Sequence, residues 1–264
     1  MTQPHYAAHA DVGVSFDSSV ATLELRKPPH NYLSVALIQH LAEALEDLEA
    51  DRRCRAIVLA AQGTSFCAGA DLSTRDATPP HRSPRAVNPL YGEAIRLFAC
   101  GKPIVAAVNG PAIGGGLGLA LVADFRVTCA QARFSANFSR LGFHPGFGLS
   151  VTLPRLIGPQ HAALLLYTGR RIGGDEAHAI GLADVLVAQD QVRAEAAKLA
   201  REIAVSAPLA VQSTRATLRQ GLVEQIRIAV ARESSEQAAQ FTTDDFREGV
   251  AAMQERREPR FTGE

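Results

Sequence analysis

Two glycine-containing turns carry the clearest chemical potential in the chain. The first is residues 65–71, Ser-Phe-Cys-Ala-Gly-Ala-Asp, and the second is residues 109–116, Asn-Gly-Pro-Ala-Ile-Gly-Gly-Gly. Glycine lets the backbone approach a ligand closely and present bare N–H groups, and a helix that starts after the second turn adds a positive dipole end. Either turn alone is typical of a tight strand-to-helix connection. Together they predict two amides that converge on one oxygen atom.

Three other kinds of site fit these residues less well. Gly114 and Gly116 partly match the fingerprint of a dinucleotide-binding fold, but Leu119 occupies the third glycine position. The strand predicted at 125–129 leads into Ala-Gln-Ala-Arg, which offers no acid for a ribose hydroxyl. The sequence has no Gly-x-Ser-x-Gly nucleophile motif. Its eight histidines are scattered, so we expect no metal site.

Apolar periodicity predicts the elements that must position the two turns. Strand-like and helix-like runs alternate in the first half and the second half is mostly helical, which indicates the α/β class with a helical tail. The predicted strands are 12–16, 20–25, 56–61, 103–108, 125–129 and 184–187. The predicted helices are 34–50, 94–100, 175–180, 191–206, 209–220 and 223–240. The proline-containing segment 73–88 is predicted to be an exposed, mobile flap.

The composition limits the partners and the compartment. Lys plus Arg and Asp plus Glu are 27 each in 264 residues, so no net positive field would attract nucleic acid or an anionic membrane. The four cysteines form no Cys-x-x-Cys pair, and the N-terminal segment lacks the pattern of a secretory signal. No apolar run is long enough to span a bilayer. We therefore expect a cytoplasmic protein with reduced thiols that binds neither nucleic acid nor a membrane.

The two turns resemble the motifs of a known family. Residues 65–71 are similar to the first oxyanion motif of the crotonase (enoyl-CoA hydratase/isomerase) superfamily, and residues 102–116 are similar to the second. Both stand in the family's order. The resemblance covers nearly the whole chain, through Asp124, 132–148, a segment at 168–171 that is predicted to be helical, and the closing run 244–261.

This resemblance implies an architecture and a ligand. The fold would be α/β, with crotonase-like stacked ββα units and a C-terminal helical trimerisation region. Residues 1–195 would form the crotonase core, and residues 196–264 the helical region that packs against neighbouring subunits. The expected ligand is an acyl-CoA thioester, with coenzyme A as part of the substrate and no separate cofactor. The expected assembly is a homotrimer or a dimer of trimers.

Carried over position by position, the resemblance assigns roles mostly to backbone groups. The N–H groups of Ala70 and Gly115 would bind the thioester oxygen and stabilise an enolate. Ala68, Asp71 and Leu72, together with Ala70, would line the adenine and pantetheine track. Removal of one oxyanion donor typically lowers a rate roughly a hundredfold to a thousandfold, so this pair of amides defines the chemistry more than any side chain.

The family's catalytic carboxylates are missing. Gly118 occupies the position of the first hydratase glutamate, and Phe138 that of the second. A third slot, in which some isomerases and synthases have an aspartate, holds Gly146. Hydration needs a base for the water and an acid for the α-carbon, and double-bond migration needs at least one base. We therefore expect crotonyl-CoA to bind but to be hydrated very poorly, in a drier pocket that favours apolar or ring-bearing acyl groups.

Few ionisable side chains remain near the predicted site. His144 lies in the segment that normally flanks the catalytic pocket and is our candidate for a displaced acid or base, because imidazole titrates near neutral pH. The alternative is a loop histidine that faces solvent or bonds to backbone. His81 and Tyr91 lie in or beside the flap and could reach an acyl group, but for each we expect a solvated surface position.

Three functions therefore stay open. The first is an acyl-CoA enzyme of the hydratase/isomerase group with a displaced catalytic residue, and the intact frame of the site favours it. The second is an acyl-CoA decarboxylase or hydrolase that relies mainly on the oxyanion hole, because loss of carbon dioxide forms an enolate without a protein base. The third is a non-catalytic acyl-CoA-binding protein.

Overall fold

The apolar runs form strands at the predicted places. The computed structural model describes residues 9–71 and 87–264. Each of the six predicted strands is present, with both ends within one residue of the prediction. The strands of the described residues are β1 (Val12–Asp17), β2 (Val20–Leu25), β3 (Ala56–Ala61), β4 (Ile104–Val108), β5 (Ala112–Ile113), β6 (Phe125–Thr128), β7 (Arg133–Ser135), β8 (Arg171–Gly173) and β9 (Val185–Leu186).

The helices include the predicted ones and two that periodicity missed. In the described residues they are α1 (Val35–Ala50), α2 (Pro89–Ala99), α3 (Gly115–Ala120), α4 (Leu149–Thr168), α5 (Gly174–Ala179), α6 (Val192–Ala204), α7 (Pro208–Leu218), α8 (Leu222–Gln240) and α9 (Asp244–Glu255). Short 3-10 turns cover Ser139–Leu141 and Gln189–Gln191. Ser34 sets the start of α1, because its hydroxyl accepts a hydrogen bond from the Leu37 amide over 3.1 Å.

The main sheet brings the two glycine turns to one edge. Its strand order is β1-β2-β3-β4-β6-β9; β1 and β2 are antiparallel, and every later pair is parallel. All residues of β3 and β4 are buried, as expected for parallel strands that are covered on both faces. The chain passes from the carboxyl ends of these neighbouring strands into the turns at 65–71 and 109–116. The topology therefore makes the turns adjacent.

A second, three-stranded sheet was not predicted. Its order is β5-β7-β8, with β5 and β7 parallel and β7 and β8 antiparallel. Strands of two or three residues are too short to show alternation in the sequence. The prediction of a helix at 168–171 is wrong, because α4 ends at Thr168 and Gly169 adopts a left-handed conformation with φ of 58°. Glycine in this conformation is a common helix stop, and β8 begins two residues later.

Helices α4 and α9 are the two that the sequence pattern missed. Helicity was predicted only after Pro159, whereas α4 begins at Leu149 and continues through a kink at Gly158, where φ is 76° and ψ is 160°. The prolines and glycines of this stretch look like loop residues in sequence. Helix α9 begins after Thr243, whose hydroxyl accepts from the Phe246 amide over 3.1 Å.

A partly buried charge cluster joins helix α7 to the sheet. The Asp124 carboxylate accepts from the Ile104 amide at 2.8 Å, from Arg215 Nε at 2.8 Å and from Arg219 Nη1 at 2.9 Å. Helix α7 is thereby fixed beside β4 and β6. The predicted division between residues 195 and 196 falls inside α6, which packs against β3, β4 and β6. The whole of α6 therefore lies on the main sheet.

The core contains the residues that were expected there. Phe134 and Leu119 are buried, as predicted, and all four cysteines are buried and unpaired. Most of the predicted flap, 73–88, lies outside the described residues; Asn88 is described and caps α2 by accepting from the Leu90 amide. In the described ranges, no helix combines the length and the apolar character that a membrane crossing requires.

Candidate active site

The two glycine turns lie side by side and bond to each other. The Cys67 amide donates to the Pro111 carbonyl over 3.0 Å, and the Ile113 amide donates to the Cys67 carbonyl over 3.0 Å. These two bonds form a short parallel bridge between the turns. Gly116 is so close that a β-carbon on it would stand 2.1 Å from the Cys67 carbonyl oxygen. Only glycine fits there, and the approach fixes the separation of the turns.

A buried asparagine that sequence reasoning missed holds the first turn. Asn31 is fully buried, and its Nδ2 donates to the carbonyls of Ser65 at 2.9 Å and Gln62 at 2.8 Å. Its Oδ1 accepts from the Lys27 amide at 2.9 Å, and its carbonyl accepts from the Cys67 thiol at 3.1 Å. The sequence signal is weak: asparagine tolerates a positive φ, which is 49° here.

The amides of Ala70 and Gly115 lie close together where the turns meet. Gly69, with φ of 82°, sits so near the second turn that a β-carbon on it would stand 3.7 Å from the Gly115 nitrogen. The Leu33 amide donates to the Gly69 carbonyl over 2.8 Å. In a trans peptide the carbonyl and the following N–H point in opposite directions, so the Ala70 N–H points away from Leu33. Within ranges 9–71 and 87–264, neither amide donates to another protein group.

The other backbone positions of the expected ligand track are only partly described. Ala68 is half-buried, and its amide donates to the His30 carbonyl over 2.9 Å, so that N–H is committed to the protein. Ala70 is exposed and Asp71 is half-buried. Leu72 lies outside the described residues. Exposure of Ala70 beside the buried Cys67 means that the first turn opens to solvent at its end.

Phe147 fills the space beside Gly118, the residue that the family resemblance assigns to the first glutamate position. A β-carbon on Gly118 would stand 2.6–2.8 Å from three atoms of the Phe147 side chain. The ring is fully buried and also lies beside Gly115, where a β-carbon would be 3.6 Å from Phe147 Cδ2. Phe147 has φ of 63°, which typically costs on the order of 1–3 kcal/mol for a large side chain. The first carboxylate slot is therefore blocked by a ring.

Phe138 forms an apolar wall at the second carboxylate position. It is 5% exposed, and its Cζ would lie 3.7 Å from a β-carbon on Gly114, so the ring tip abuts the second turn. Its ring meets Phe143 edge to face, with centroids 5.5 Å apart. Phe143 in turn contacts Phe241 and Phe246, at centroid distances of 5.0 and 5.7 Å. This aromatic cluster makes the wall rigid and dry.

Tyr91 occupies the third slot, and the expectation of a solvated position was wrong. Tyr91 is 7% exposed, on the buried face of α2. A β-carbon on Gly146 would stand 2.0 Å from its hydroxyl oxygen. The Gln237 side chain of α8 lies against the same hydroxyl, with Nε2 at 2.9 Å and Oε1 at 3.1 Å, and Nε2 also donates to the His144 carbonyl at 2.8 Å. The glycine at 146 thus makes room for a phenol.

The comparisons with known proteins agree with this frame. A family model described as enoyl-CoA hydratase/isomerase matches residues 15–264. The chain belongs to the enoyl-CoA hydratase/isomerase family. It is 35% identical over 254 residues to human enoyl-CoA hydratase domain-containing protein 2, mitochondrial. This match covers 94% of this chain and 87% of the human protein. It is 33% identical over 257 residues to the crotonyl-CoA hydratase of Syntrophomonas wolfei. This match covers 96% of this chain and 98% of the relative.

A solved structure shows the same fold at a similar level of identity. The enoyl-CoA hydratase/isomerase from Pseudoalteromonas atlantica T6c has a TM-score of 0.85 and 33% identity, over 96% of this chain and 100% of that one. The α/β crotonase fold inferred from the two motifs is therefore confirmed.

His144 is held by hydrogen bonds of both its backbone amide and its ring. Its amide donates to Gln240 Oε1 at 2.6 Å, and its Nδ1 is 2.8 Å from the Pro145 carbonyl oxygen. An Nδ1–H that donates to this carbonyl leaves Nε2 as the acceptor of the ring. The ring is half-buried and bonded to backbone, which was the alternative to a catalytic role. A role as acid or base stays a prediction.

Glu233 fixes the end of the same loop at the start of α4. Its carboxylate accepts from the Gly148 amide at 2.8 Å, and from the Ser150 amide at 3.2 Å and hydroxyl at 2.5 Å. Burial raises the pKa of Glu233, although these hydrogen bonds and the nearby His144 oppose the shift. Glu233 therefore acts as a buried helix cap, and sequence reasoning did not identify it.

Cys67 is a nucleophile candidate within the first turn, and its environment makes it inert. Burial raises the pKa of the Cys67 thiol to about 12. The thiolate is the reactive form, and it is not populated near neutral pH at such a pKa. Cys67 therefore supports the turn through its backbone and its bond to Asn31, and the site has no thiolate to attack a thioester.

Proposed function

We propose that this protein is an acyl-CoA enzyme that polarises the thioester carbonyl with the N–H groups of Ala70 and Gly115. The observation that supports it most is the pairing of the two turns, which brings these amides together without an acceptor in the described residues. Preorganised donors aimed at a developing oxyanion are usually the largest single contribution to such catalysis. The bound thioester would be stabilised as an enolate, with Ala68, Asp71 and Leu72 along the coenzyme A track.

The slots around the amides argue against efficient hydration. Gly118 is blocked by Phe147, Phe138 is itself an apolar ring, and Gly146 gives way to the Tyr91 hydroxyl. Water activation needs a general base within hydrogen-bond reach, and no carboxylate stands at these positions. His144 remains our candidate for the displaced acid or base of a hydratase/isomerase-type reaction.

Decarboxylation or hydrolysis of an acyl-CoA is the second candidate function. The apolar filling favours decarboxylation, because loss of carbon dioxide leaves the electron pair on the α-carbon and needs no protein base. The oxyanion amides alone would lower that barrier. Hydrolysis would need an activated water and stays a prediction. Binding without any turnover would instead support a non-catalytic acyl-CoA-binding protein.

The aromatic lining favours an apolar or ring-bearing acyl group. Phe138 and Phe147 present rings next to the second turn, and Phe143 packs against Phe138 from behind. Aromatic rings prefer edge-to-face or offset contacts with other rings, each worth about 0.5–1.5 kcal/mol beyond the buried area. Phenylacetyl-CoA is therefore a better first ligand than a short polar acyl-CoA.

A homotrimer, or a dimer of trimers, fits the apolar residues that remain exposed on the helices. Helices α4, α7 and α8 present Tyr167 (81% exposed), Leu209 (80%), Leu218 (69%) and Ile228 (65%). Large apolar side chains exposed on several helices are typical of an interaction surface. Analytical ultracentrifugation tests this, with a monomer as the contrary result. We also propose a cytoplasmic location, and fractionation tests it against the mitochondrial location in the name of the human relative.

A screen of CoA thioesters tests the proposed function. Binding would be measured by calorimetry and turnover by mass spectrometry, for acyl groups that differ in length, polarity and ring content. Free coenzyme A is the control, because it lacks the thioester carbonyl that the two amides would bind. The proposal predicts that at least one thioester binds more tightly than free coenzyme A. Equal affinity for every thioester and for free coenzyme A would overturn it.

A further inference from the structure

A polar side-chain pair lies beside the aromatic rings of the candidate site, in the part of the chain that the structure describes. Tyr91 and Gln237 bond to each other, and both reach the space that a side chain on Gly146 would use, with Tyr91 Oη at 2.0 Å and Gln237 Nε2 at 2.7 Å from its β-carbon position. Both residues are buried, Gln237 to within 1% exposure. The two polar side chains satisfy each other beside Phe147, as buried polar groups usually do.

Phe147 links this pair to the oxyanion amides. Its ring lies beside Gly115 and Gly118 on one side, and it meets the Tyr91 ring edge on, with centroids 6.4 Å apart and planes at 77°. The phenol is therefore one aromatic ring away from the thioester position. An acyl group that runs from the amides along Phe147 would bring its far end to the Tyr91 hydroxyl.

The hydrogen bonds of Gln237 determine which atoms of the pair donate and which accept. Its Nε2 donates to the His144 carbonyl at 2.8 Å, so the orientation of the amide is fixed by the backbone of the loop. The same nitrogen lies 2.9 Å from Tyr91 Oη and donates to it. The phenolic hydrogen therefore points to an acceptor other than Nε2, which is Gln237 Oε1 at 3.1 Å in the structure. An oxygen on a ligand can replace this longer contact.

We infer that Tyr91, positioned by Gln237, determines specificity by donating a hydrogen bond to an oxygen atom on the acyl group. This inference rests on the proposed function, and it narrows the ligand class to apolar or aromatic acyl-CoA thioesters that carry one oxo or hydroxyl oxygen away from the thioester. Pockets that are mostly apolar use a few placed polar groups in this way to fix orientation. A ligand that offers such an oxygen gains a hydrogen bond from Tyr91, and a ligand that offers none leaves the phenol bonded to Gln237.

Matched ligand pairs separate this role from a structural one. Calorimetry would give the Kd of acetoacetyl-CoA against butyryl-CoA, and of 4-hydroxyphenylacetyl-CoA and 3-hydroxyphenylacetyl-CoA against phenylacetyl-CoA. Wild-type protein should prefer the oxygen-bearing member of at least one pair by about tenfold. Tyr91→Phe, which retains the ring, should abolish that preference and leave the Kd of the apolar member within about threefold. A structural bond would alter stability without altering the ratio.

Two further variants complete the test. Gln237→Leu should lower the same preference ratio, because the phenol loses its orienting donor. Gln39→Leu, on the exposed face of α1, is the matched control and should behave as wild type. Two results overturn the inference if apolar thioesters still bind. One is a preference ratio that is the same in Tyr91→Phe and wild type. The other is the absence of any preference for the oxygen-bearing member in every pair, which includes failure of those members to bind. If no CoA thioester binds more tightly than free coenzyme A, the proposed function fails and the inference fails with it.

Discussion

The two glycine turns and the loop packed against them shape the site with different parts of the chain. The turns at 65–71 and 109–116 are held by backbone hydrogen bonds and by glycines that admit no β-carbon. The loop from Phe138 to Gly148 presents side chains instead: two phenylalanine rings, and a glycine that admits Tyr91. The turns thus contribute backbone N–H and C=O groups to the site, whereas the loop contributes aromatic rings and the space for a phenol.

This difference explains how the chain can keep the paired turns while the positions predicted for the family's carboxylates hold other residues. The turns that carry the Ala70 and Gly115 amides are held by Asn31 and by the bridge between the turns, through hydrogen bonds that involve no side chain at 118 or 138. The lining can therefore change without moving the amides. Carbonyl binding and proton transfer are separable in this fold, and the experiments below act on one region at a time.

Removal of one oxyanion donor should have the largest effect. Replacement of the Gly115 amide by a backbone ester deletes the N–H and adds no side chain. The rate of turnover of any thioester found in the screen should fall roughly a hundredfold to a thousandfold. The matched control is an ester at Gly114, whose N–H donates to the Ser135 carbonyl at 2.8 Å; it should lower stability by about 1 kcal/mol. Equal turnover in the Gly115 ester and wild type would show that this amide does not bind the reacting oxygen.

Asn31→Asp should destabilise the first glycine turn by removing the side-chain donor that holds it. The two Nδ2 donors are lost, and a carboxylate would face the carbonyls of Gln62 and Ser65 in a buried place. We expect a loss of roughly 2 kcal/mol or more in the free energy of unfolding, because each buried acceptor left unpaired costs about 1–3 kcal/mol. Urea denaturation measures this, and thioester affinity should fall in parallel. A variant as stable as wild type would mean that the turn does not depend on Asn31.

Restoring a carboxylate in the lining should fail unless its blocking ring is also removed. Gly118→Glu should destabilise the protein by about 1–3 kcal/mol, because the new β-carbon overlaps Phe147. Wild type should bind crotonyl-CoA and hydrate it very poorly, and Gly118→Glu alone should gain nothing. The combination Gly118→Glu/Phe138→Glu/Phe147→Ala relieves the overlap and supplies both carboxylates, and it is the variant in which hydration should rise. Brisk hydration by wild type would reveal an acid–base pair outside these positions.

The pH dependence of stability should show the smallest effect. Burial raises the pKa of Glu233 above its ordinary value of 4.5, so the folded state holds this proton more tightly than the unfolded state. Its contribution to stability is then greatest below the unfolded pKa and declines as pH rises through the folded pKa. Glu233→Gln should remove that decline in urea denaturation measured from pH 4 to pH 8. An identical pH profile in wild type and the variant would contradict the assignment.

The sequence predicted the frame far better than the lining, for physical reasons. Periodic apolar runs report elements that bury one face or both, so β3, β4 and α1 were predicted closely. Short motifs with glycine at fixed spacing report close backbone approach, so both turns were found. Neither signal reports which side chain fills a space vacated by another.

Three residues illustrate that limit. Tyr91 was expected in solvent because it follows an irregular segment, but α2 turns it toward α8, where Gln237 is 146 residues away in sequence. Phe147 has no local signal for its φ of 63°, which the surrounding packing imposes. Asn31 acts through carbonyls more than thirty positions away. Contacts of such long sequence separation leave no pattern in one chain.

Isotope-edited infrared spectroscopy of a bound thioester tests the central claim most directly. Phenylacetyl-CoA labelled with ¹³C at the thioester carbonyl would be bound to wild-type protein and to the Gly115 backbone ester, with calorimetry confirming occupancy in both. Two donors at the Ala70 and Gly115 amides should lower the carbonyl stretching frequency below its value in water, and loss of the Gly115 N–H should reverse most of that shift. A bound carbonyl that keeps its aqueous frequency in wild type would contradict the claim that these amides polarise the thioester.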